Sequence, residues 1–468
     1  MPELMVTGKR SLTGNIKISG AKNAVLPQMA ASLLTNEKVI LTNVPDITDV
    51  EDMKRVLEAY RVRVNWNHSN STLELQAENP TQQLPGTNVG KAIRASFLVF
   101  GPLLARKGEA NVYRPGGCKI QRGGRKVDFH IEAMADMGAR KIREDSPETA
   151  NGVISMKAVN GLKPEIITFK KSSVGATETV MMAASLVPGK TVIRNAAVEP
   201  EILDLAAMLG EMGAQITVDE NVEIIEEITE FGITERITEW NVITVEGRES
   251  LTGVTHKVMP DRIEFGTYAI AAAMNNGEIQ LVVEENMKES MLRAIRQPLL
   301  DAGVKIDEAE RNIVKVSLRD NIITPVDVQT GPYPAFPTDL LPQWVTFMTQ
   351  AQATRRKTYT TIYDKIYDGR FNYVDGLKKM GAKIEKINDK EYRINTGSAL
   401  SGTHVQATDL RGGAALVLAA LVARGSTVVK QYENVKRGYE DMVGKLKACG
   451  AKLEILPQSR PGHYGGHF

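Results

Sequence analysis

The chain lacks the features that mark disulfide-rich and nucleic-acid-binding proteins. It has two cysteines in 468 residues, Cys118 and Cys449, and they lie far apart in the sequence. This excludes a disulfide scaffold and favours a reducing compartment. Charge of one sign is also missing, because 58 basic and 56 acidic residues leave a net charge of +2. General binding of nucleic acid is therefore not expected, and positive charges must act locally.

Signals for export and membrane insertion are missing as well. The opening Met1-Pro2-Glu3-Leu4 has neither the charged nor the apolar region of a signal peptide. The longest apolar run, 414–423, lies between Arg411 and Arg424 and is too short to span a bilayer. We expect this run to form a buried helix, and we expect a cytoplasmic protein.

One short phrase occurs six times along the chain. A glycine directly after an apolar helix-like stretch predicts a helix end, and the alternating residues that follow predict a strand. The first copy is degenerate, with arginine in the glycine position. The copies are Tyr60-Arg61-Val62-Arg63, Met137-Gly138-Ala139-Arg140, Met212-Gly213-Ala214-Gln215, Ala302-Gly303-Val304-Lys305, Met380-Gly381-Ala382-Lys383 and Cys449-Gly450-Ala451-Lys452.

The spacing of the phrase predicts a protein made of six similar α/β repeats. A repeat of roughly 70 to 90 residues is too long for a solenoid unit and long enough for a helix–strand–helix–strand block. The predicted class is α/β (α+β), with helices covering sheets. Six repeats in 468 residues divide into two domains of three. We place these at 22–259 and at 1–21 plus 260–456, with 457–468 as a flexible tail.

Two segments do not fit a simple repeat. The first predicted strand, 12–19, precedes the first repeat and is able to pair with either domain. The acidic stretch 218–240 interrupts the third repeat, and we interpret it as a solvated insertion or hairpin. Its glutamates are Glu223, Glu226, Glu227, Glu230, Glu235 and Glu239.

Cys118 lies in a glycine-rich, basic loop, whereas Cys449 occupies the apolar position of the repeated phrase. Neighbouring cations lower the pKa of a thiol and increase its reactivity, while a structural cysteine has apolar neighbours. An inert surface cysteine is the usual interpretation of a lone thiol. The composition of the loop instead favours a functional Cys118, and Cys449 is predicted to be a core residue.

Several cations stand where the predicted helices of the repeats begin. Helix starts have free N–H groups and a positive dipole end, which attract phosphates and carboxylates. One such lysine is usually only a solvated residue near a helix end. The recurrence in four repeats predicts a small, multiply anionic ligand. The residues are Lys22 with Asn23, Arg94, Lys171 with Ser173 and Gly175, and Arg411, to which Arg370 and Arg437 add positive charge before later helices.

Asp339 follows a stiff turn, Pro334-Ala335-Phe336-Pro337-Thr338, at the head of a predicted helix. Spacing alone favours a helix N-cap, a position in which aspartate is common. A rigid turn also suits a catalytic base, which must be held in place.

At these motifs the chain resembles the UDP-N-acetylglucosamine 1-carboxyvinyltransferases, a family of enolpyruvyl transferases. The resemblance covers nearly the whole chain. It implies an inside-out α/β barrel fold of two three-repeat domains, with an N-terminal strand returning to the second domain and the active site between the domains. The motifs are Ser19-Gly20-Ala21-Lys22-Asn23-Ala24, Pro115-Gly116-Gly117-Cys118, Ser173-Val174-Gly175-Ala176-Thr177, Glu199-Pro200-Glu201, Pro260-Asp261-Arg262-Ile263-Glu264, Ala335-Phe336-Pro337-Thr338-Asp339, Thr408-Asp409-Leu410-Arg411 and Arg437-Gly438-Tyr439-Glu440.

The resemblance also implies a reaction. The enolpyruvyl group of phosphoenolpyruvate passes to the sugar 3′-hydroxyl of UDP-N-acetylglucosamine, and phosphate is released. Asp339 takes the hydroxyl proton, and Cys118 gives a proton to the methylene carbon and is the residue alkylated by fosfomycin. No metal or organic cofactor, nucleic acid or membrane insertion is implied. The resemblance further implies an enzyme that starts peptidoglycan precursor synthesis and so serves cell-wall biogenesis, cell shape, cell division and the cell cycle.

The same resemblance implies which residues bind the substrates. Lys22, Arg125, Arg411 and Arg437 hold phosphate and carboxylate and stabilise the charged intermediate. Lys22 and Arg437 count as catalytic together with Cys118 and Asp339. The full set of implied contacts is Lys22, Asn23, Arg94, Arg125, Lys126, Val127, Asp128, Phe129, His130, Lys171, Ser172, Ser173, Val174, Gly175, Asp339, Ile366, Arg370, Arg411 and Arg437.

The loop 119–126 departs from the family pattern. It is about two residues longer, and Arg125-Lys126 stands where the family has an Arg-Pro pair, so Arg122 is an alternative to Arg125. Three other functions follow from such differences. A shikimate-phosphate enolpyruvyl transferase would start with a Gly-Ser-Lys-Ser type motif instead of Gly20-Ala21-Lys22-Asn23. An enzyme acting on another uridine nucleotide fits the altered loop. A non-catalytic nucleotide-sugar-binding paralogue would lack Cys118, Asp339 or Lys22.

Overall fold

A computed structural model describes residues 2–90, 93–115, 127–145, 152–226, 236–283, 289–355 and 357–457. The chain divides into two compact units, which we call the first lobe (Ser19–Asp261) and the second lobe (Met1–Ile18 with Arg262–Phe468). The limits between the lobes, at 18/19 and 261/262, lie within three residues of the predicted limits at 21/22 and 259/260. In the described part of the chain, no helix combines the length and the apolar character needed to cross a membrane.

The first lobe contains the first three repeats. Each repeat has a first helix, a strand, a second helix and a strand hairpin. In chain order the elements are α1 (Lys22–Ala31), β3 (Lys38–Thr42), α2 (Thr48–Ala59), β4 (Arg63–Asn67) and β5 (Thr72–Gln76); α3 (Thr87–Gly90), α4 (Phe100–Lys107), β6 (Glu109–Tyr113), α5 (Asp128–Asp136), β7 (Arg140–Glu144) and β8 (Val153–Lys157); β9 (Ile166–Thr168), α6 (Val174–Ser185), β10 (Gly189–Arg194), α7 (Pro200–Glu211), β11 (Gln215–Glu226), β12 (Arg236–Gly247) and β13 (Val254–Lys257).

The second lobe contains the other three repeats and two N-terminal strands, β1 (Glu3–Thr7) and β2 (Thr13–Lys17). Its remaining elements, in chain order, are α8 (Arg262–Met274), β14 (Glu278–Val282), α9 (Glu289–Leu292), α10 (Arg296–Asp301), β15 (Val304–Glu310) and β16 (Ile313–Leu318); β17 (Val328–Gln329), α11 (Leu341–Thr349), β18 (Tyr359–Tyr363), α12 (Val374–Lys379), β19 (Ile384–Lys386) and β20 (Glu391–Asn395); β21 (His404–Gln406), α13 (Leu410–Val422), β22 (Ser426–Lys430), α14 (Glu433–Lys436), α15 (Met442–Ala448) and β23 (Lys452–Leu456).

The described residues form six sheets, one for each repeat. Five sheets share one pattern, in which the strand after the first helix pairs in parallel with an edge strand. On its other side it pairs antiparallel with a third strand, and that strand pairs antiparallel with the strand after the second helix. The sheet orders are β13-β3-β5-β4, β9-β10-β12-β11, β2-β14-β16-β15, β17-β18-β20-β19 and β21-β22-β1-β23, and β6-β8-β7 has three described strands.

The N-terminal strands complete sheets that belong to the second lobe. β2 supplies the parallel edge strand of the fourth repeat through β14. β1 lies between β22 and β23 and is therefore the third strand of the last sheet. β23 is the last strand in the described part of the chain. The prediction of a strand at 12–19 is therefore confirmed, and its partner lies in the second lobe. The strand Glu3–Thr7 was missed by the sequence patterns.

The repeated phrase has the predicted backbone conformation in all six copies. Gly138, Gly213, Gly303, Gly381 and Gly450 all have positive φ, between 90° and 115°, and Arg61 in the degenerate copy has a φ of 66°. In the first copy the N–H of Val62 donates to the carbonyl of Leu57, five residues earlier. This is the Schellman ending that a left-handed residue permits. A strand begins within three residues of each copy.

The first helices of the repeats are buried, and the sheets lie outside them. In the second lobe α8, α11 and α13 pack against one another, and every residue of α8 and α11 is buried. A helix that is apolar on all sides belongs in a core. Residues 414–422 of the apolar run lie in α13, which confirms the prediction of a buried helix. Each lobe is thus an inside-out α/β barrel, as the resemblance implies.

The acidic segment at 218–240 is a hairpin in its described part. β11 and β12 pair antiparallel as extensions of the third sheet, with a register shift between Asp219 and Val222. The hairpin interpretation is confirmed, and residues 227–235 lie outside the described residues. The predicted tail also lies outside them from residue 458 onwards. Cys449 is buried, which confirms its prediction as a core residue, and burial raises the pKa of its thiol.

Candidate active site

Asp339 is held by two arginines in the second lobe. Its Oδ1 accepts a hydrogen bond of 2.8 Å from Nη2 of Arg370. Its Oδ2 accepts bonds of 3.2 Å and 3.0 Å from Nε and Nη2 of Arg411. Asp339 is not the N-cap that spacing alone favours, because α11 begins at Leu341 and its N-cap residue is Leu340.

The arginines are buried and the carboxylate is partly open. The side chains of Arg411 and Arg370 are 2% and 7% exposed, whereas that of Asp339 is 26% exposed. Burial lowers the pKa of Arg370, but the charge of Asp339 and its hydrogen bond outweigh this effect and raise the pKa overall. Arginine side chains stay protonated in proteins, and cations this close favour the ionised form of a carboxyl group. The arrangement presents a partly accessible carboxylate beside two buried arginines.

A second layer of residues supports the two arginines. Nη1 of Arg370 donates to the hydroxyl of Thr338 at 2.9 Å, and that hydroxyl donates to Oδ2 of buried Asp364 at 3.1 Å. The guanidinium carbon of Arg411 lies 5.4 Å from the ring centre of Tyr439, a cation–π distance. None of Thr338, Asp364 and Tyr439 was predicted as a site residue. Thr338 and Tyr439 lie in motifs quoted above, but Asp364 directly follows β18 and lies in none of them.

The buried end of Tyr439 is fixed by a polar triad. Its hydroxyl accepts a hydrogen bond of 2.7 Å from Nε2 of Gln343 and lies 2.8 Å from the hydroxyl of Thr267. Gln343 belongs to α11 and Thr267 to α8. Hydrogen bonds among buried polar groups specify a single arrangement of the helices that carry them. The triad thus fixes the ring of Tyr439, which contacts Arg411, to the two core helices α8 and α11.

A second group of predicted residues meets in the first lobe, at the starts of α5 and α6. Ser173 caps α6 by accepting a bond of 3.4 Å from the N–H of Ala176. A side chain at Gly175 would meet the ring of His130 at 3.1 Å, so glycine permits this close approach. The ring of Phe129 lies 6.1 Å from that of Phe169. Lys171, Val174 and Asp128 are exposed beside these starts.

His130 is turned into the core of the first lobe. Its Nδ1 lies 2.9 Å from the hydroxyl of Thr179. Burial, together with the nearby charge of Arg94, lowers the pKa of His130 to about 3. The ring is therefore neutral near pH 7. Burial also raises the pKa of Glu178 well above its usual value; Glu199 adds to this shift and Arg94 opposes it.

Lys22 is the first residue of α1, as the pattern of helix starts predicts. Its ammonium group lies 2.9 Å from Oδ2 of Asp49, which is only 3% exposed. Its backbone N–H donates to Asp261 at 3.4 Å. Arg94 begins the short helical turn before α4, and Arg411 is the second residue of α13. The cations therefore do stand at helix starts, but Lys22 and Arg411 already contact carboxylates.

Other predicted residues stay predictions. Cys118, Arg122, Arg125 and Lys126 lie outside the described residues. Arg437 follows α14, and Ile366 is partly exposed after β18. Among the residues that the structure describes, no cluster of three or more His, Cys, Asp or Glu side chains is placed to hold a metal ion.

The family of the chain follows from comparison with known proteins. The family model of EPSP synthase (3-phosphoshikimate 1-carboxyvinyltransferase) matches residues 6–446. The chain belongs to this family. It is therefore an enolpyruvyl (1-carboxyvinyl) transferase, as its sequence predicts. A relative in Xanthobacter autotrophicus, named UDP-N-acetylglucosamine 1-carboxyvinyltransferase, is 41% identical over 465 residues, covering 97% of this chain and all of the relative.

Other relatives and solved structures agree with this membership. A protein of the same name in Wolbachia pipientis is 41% identical over 452 residues, covering 95% of this chain and 97% of that protein. The enolpyruvyl transferase NikO from Streptomyces tendae has a TM-score of 0.80 at 22% identity, over 97% of this chain and 99% of NikO. EPSP synthase from Acinetobacter baumannii has a TM-score of 0.70 at 14% identity, over 98% of this chain and all of that chain. At such identities the two structures show the fold alone.

Proposed function

We propose that this enolpyruvyl transferase moves the enolpyruvyl group of phosphoenolpyruvate to the 3′-hydroxyl of UDP-N-acetylglucosamine and releases phosphate. The observation that carries the proposal is the partly open carboxylate of Asp339 between Arg370 and Arg411. It lies in a chain 41% identical to a relative named for this acceptor. The reaction needs an ionised base and several cations, and this cluster supplies both.

Asp339 is the proposed base. It takes the proton of the acceptor hydroxyl while the hydroxyl oxygen bonds to the central carbon of phosphoenolpyruvate and a proton adds to the methylene carbon. The methyl group of this adduct then loses a proton, the double bond forms again and phosphate leaves. Arg370 and Arg411 fix both oxygens of the base. A positioned carboxylate of this kind contributes typically about 10²- to 10⁴-fold in rate.

Residues of both lobes are the remaining proposed contacts. The starts of α5 and α6 offer N–H groups and exposed Lys171 and Val174 to the nucleotide sugar. Lys22, with Arg125, Arg411 and Arg437, binds the phosphate and carboxylate groups. Contact from His130 would come from its neighbouring backbone, because its ring faces Thr179 and Gly175.

Cys118 is the proposed proton donor to the methylene carbon. If it is a reactive thiol, fosfomycin adds one covalent mass to the protein, and peptide mapping finds it on Cys118. Buried Cys449 serves as an internal control, since burial raises its pKa and limits its reactivity. Absence of an adduct, or an adduct on Cys449, would contradict the role of Cys118. Cys118→Asp is expected to abolish the adduct and retain turnover, because a carboxylic acid also donates a proton.

The acceptor is tested with a panel of nucleotides. Phosphate release from phosphoenolpyruvate is measured with UDP-N-acetylglucosamine, uridine monophosphate and shikimate 3-phosphate. We expect release with the nucleotide sugar, because the chain starts its first helix with Gly20-Ala21-Lys22-Asn23. Release with uridine monophosphate but not with UDP-N-acetylglucosamine would favour an enzyme that acts on another uridine nucleotide. Tight binding of the nucleotide sugar without any release would favour a non-catalytic paralogue.

We place the reaction in the cytoplasm, as the first committed step of peptidoglycan precursor synthesis. In that position it serves cell-wall biogenesis, cell shape and cell division. The name shared by the relatives supports this place in metabolism. The two cysteines, separated by more than three hundred residues, support a reducing compartment.

A further inference from the structure

Asp364 is a buried carboxylate that is bound on both of its oxygens. It is fully buried, and Oδ1 accepts hydrogen bonds from the hydroxyl of Thr330 at 2.6 Å and from the N–H groups of Ile366 and Tyr367 at 3.0 Å and 3.3 Å. Oδ2 accepts the bond from Thr338 at 3.1 Å. A buried carboxylate is costly unless hydrogen bonds compensate it. Four donors satisfy Asp364, so its geometry is tightly fixed.

Two of the groups that Asp364 binds, the hydroxyl of Thr338 and the backbone of Tyr367, belong to residues that also contact Arg370. Thr338 receives a hydrogen bond of 2.9 Å from Nη1 of Arg370, and its own proton is directed to Asp364. The ring of Tyr367, whose N–H is bound by Asp364, lies 5.2 Å from the guanidinium carbon of Arg370. Arg370 is thus held on one edge and one face by groups that Asp364 orients. Its Nη2 then binds Oδ1 of Asp339 at 2.8 Å.

The same carboxylate sets a second predicted contact. Ile366 is 36% exposed, and its backbone N–H bonds Oδ1 of Asp364. The hydroxyl of Thr330, bound to that same Oδ1, accepts the N–H of Lys365 at 3.0 Å. The turn after β18 is therefore built around Asp364. Asp364 is therefore connected both to Asp339, the predicted base, and to the turn at Ile366, a predicted contact with the nucleotide sugar.

We propose that Asp364 is a positioning residue, which acts through Thr338 and Arg370 to orient the carboxylate of Asp339 and which sets the turn at Ile366. The inference rests on the proposed function, because it deepens the role of Asp339 as the base. Asp364 itself touches no reacting atom. Its effect on the reaction comes from the direction and charge environment that Arg370 gives to Asp339.

The sharpest test replaces Thr338, because valine keeps its shape and removes the hydroxyl. Thr338→Val leaves Nη1 of Arg370 without its acceptor, and a bond to a charged group is worth enough to change the turnover number by about tenfold. We expect kcat to fall by that order and the KM for UDP-N-acetylglucosamine to rise less. The acid limb of the pH–rate profile is expected to move to higher pH, because a loosened Arg370 stabilises the ionised base less. Thr338→Ser keeps the hydroxyl and should restore both.

A matched control separates positioning from stability. Thr360 is a fully buried threonine in β18 whose hydroxyl has no hydrogen-bond partner among the described residues. Thr360→Val should leave kcat and the acid limb unchanged. Asp364→Asn replaces an acceptor by a donor toward Thr338 and should repeat the effect of Thr338→Val. If it does not fold, the Thr338 pair carries the test alone.

The outcomes distinguish the inference from the proposed function. If wild-type protein and Asp339→Asn release phosphate equally well, the base is elsewhere, and both the base and its positioning by Asp364 are overturned. If Asp339→Asn is inactive while Thr338→Val matches Thr360→Val in kcat and pH profile, only the positioning role is overturned. A loss in Thr338→Val that serine does not restore would also overturn it.

Discussion

At the scale of single residues, the decisive feature is the pairing of Asp339 with two buried arginines. The partners are 31 and 72 positions away in sequence. Local spacing favours a role of Asp339 as helix N-cap. The residue instead lies two positions before the start of α11 and binds the two arginines. A local sequence pattern does not reveal pairing between residues so far apart in the chain. The resemblance to a family suggested the role of Asp339, and the structure supplies its two cationic partners.

The base is tested by Asp339→Asn. The amide keeps the size of the side chain but does not accept the hydroxyl proton, so turnover should fall by about 10²- to 10⁴-fold. The thermal midpoint should fall as well, because two buried guanidinium groups lose their counterion. Kinetics are therefore measured at a temperature where circular dichroism shows the variant folded. Asp375→Asn, an exposed carboxylate at the start of α12, is the control. Near-normal turnover in Asp339→Asn would remove its role as base.

At the scale of elements, the six-fold repeat could be predicted because its signals are local. A few adjacent residues determine the positive φ after a helix, as at Gly138 and Gly213. The alternation of apolar and polar residues in the following strand is equally local. The strand Glu3–Thr7 was missed because its partners are β22 and β23, more than 400 residues away. Its alternation of buried Leu4 and Val6 is too short to stand out. Sheet order likewise depends on pairing between distant segments.

Arg61 offers a test of the repeat at this scale. It occupies the glycine position of the phrase with a φ of 66°. Glycine adopts such a conformation without the strain of a side chain, so Arg61→Gly should stabilise the protein by roughly 0.5–1 kcal/mol. Gly138→Ala is the converse control, because a side chain there meets nothing closer than 4.0 Å and adds strain only. Urea unfolding should move the two midpoints in opposite directions. Destabilisation by Arg61→Gly would contradict the equivalence of the six helix ends.

At the scale of the whole molecule, each lobe consists of three repeats packed around buried helices. The stability of a lobe depends on pH through the ionisation of individual buried groups. His256 of β13, in the first lobe, binds Glu211 at 3.0 Å and Asp204 at 3.3 Å. Asp204 also binds Gln28 and the N–H of Met259. Burial lowers the pKa of His256, but the two carboxylates raise it more, and the net shift is upward. The charged histidine thus ties β13 to α7.

The sign of this shift predicts a pH dependence of stability. A raised histidine pKa contributes stability in full below its ordinary value, and the contribution is lost as pH rises through the raised value. His256→Gln should therefore lower the thermal midpoint more at about pH 6 than at about pH 9. His404→Gln, at an exposed position in β21, is the matched control. An equal loss for His256→Gln at both pH values would show that its charge contributes nothing.

The proposed reaction joins enolpyruvate to the 3′-hydroxyl of UDP-N-acetylglucosamine. Its most direct test is product analysis by mass spectrometry and phosphorus NMR, with UDP-N-acetylglucosamine and its 3′-deoxy analogue as acceptors. We expect one enolpyruvyl adduct and one phosphate per acceptor consumed, and neither product with the deoxy analogue. Phosphate release that continues with the deoxy analogue, or an unmodified UDP-N-acetylglucosamine after incubation, would contradict it.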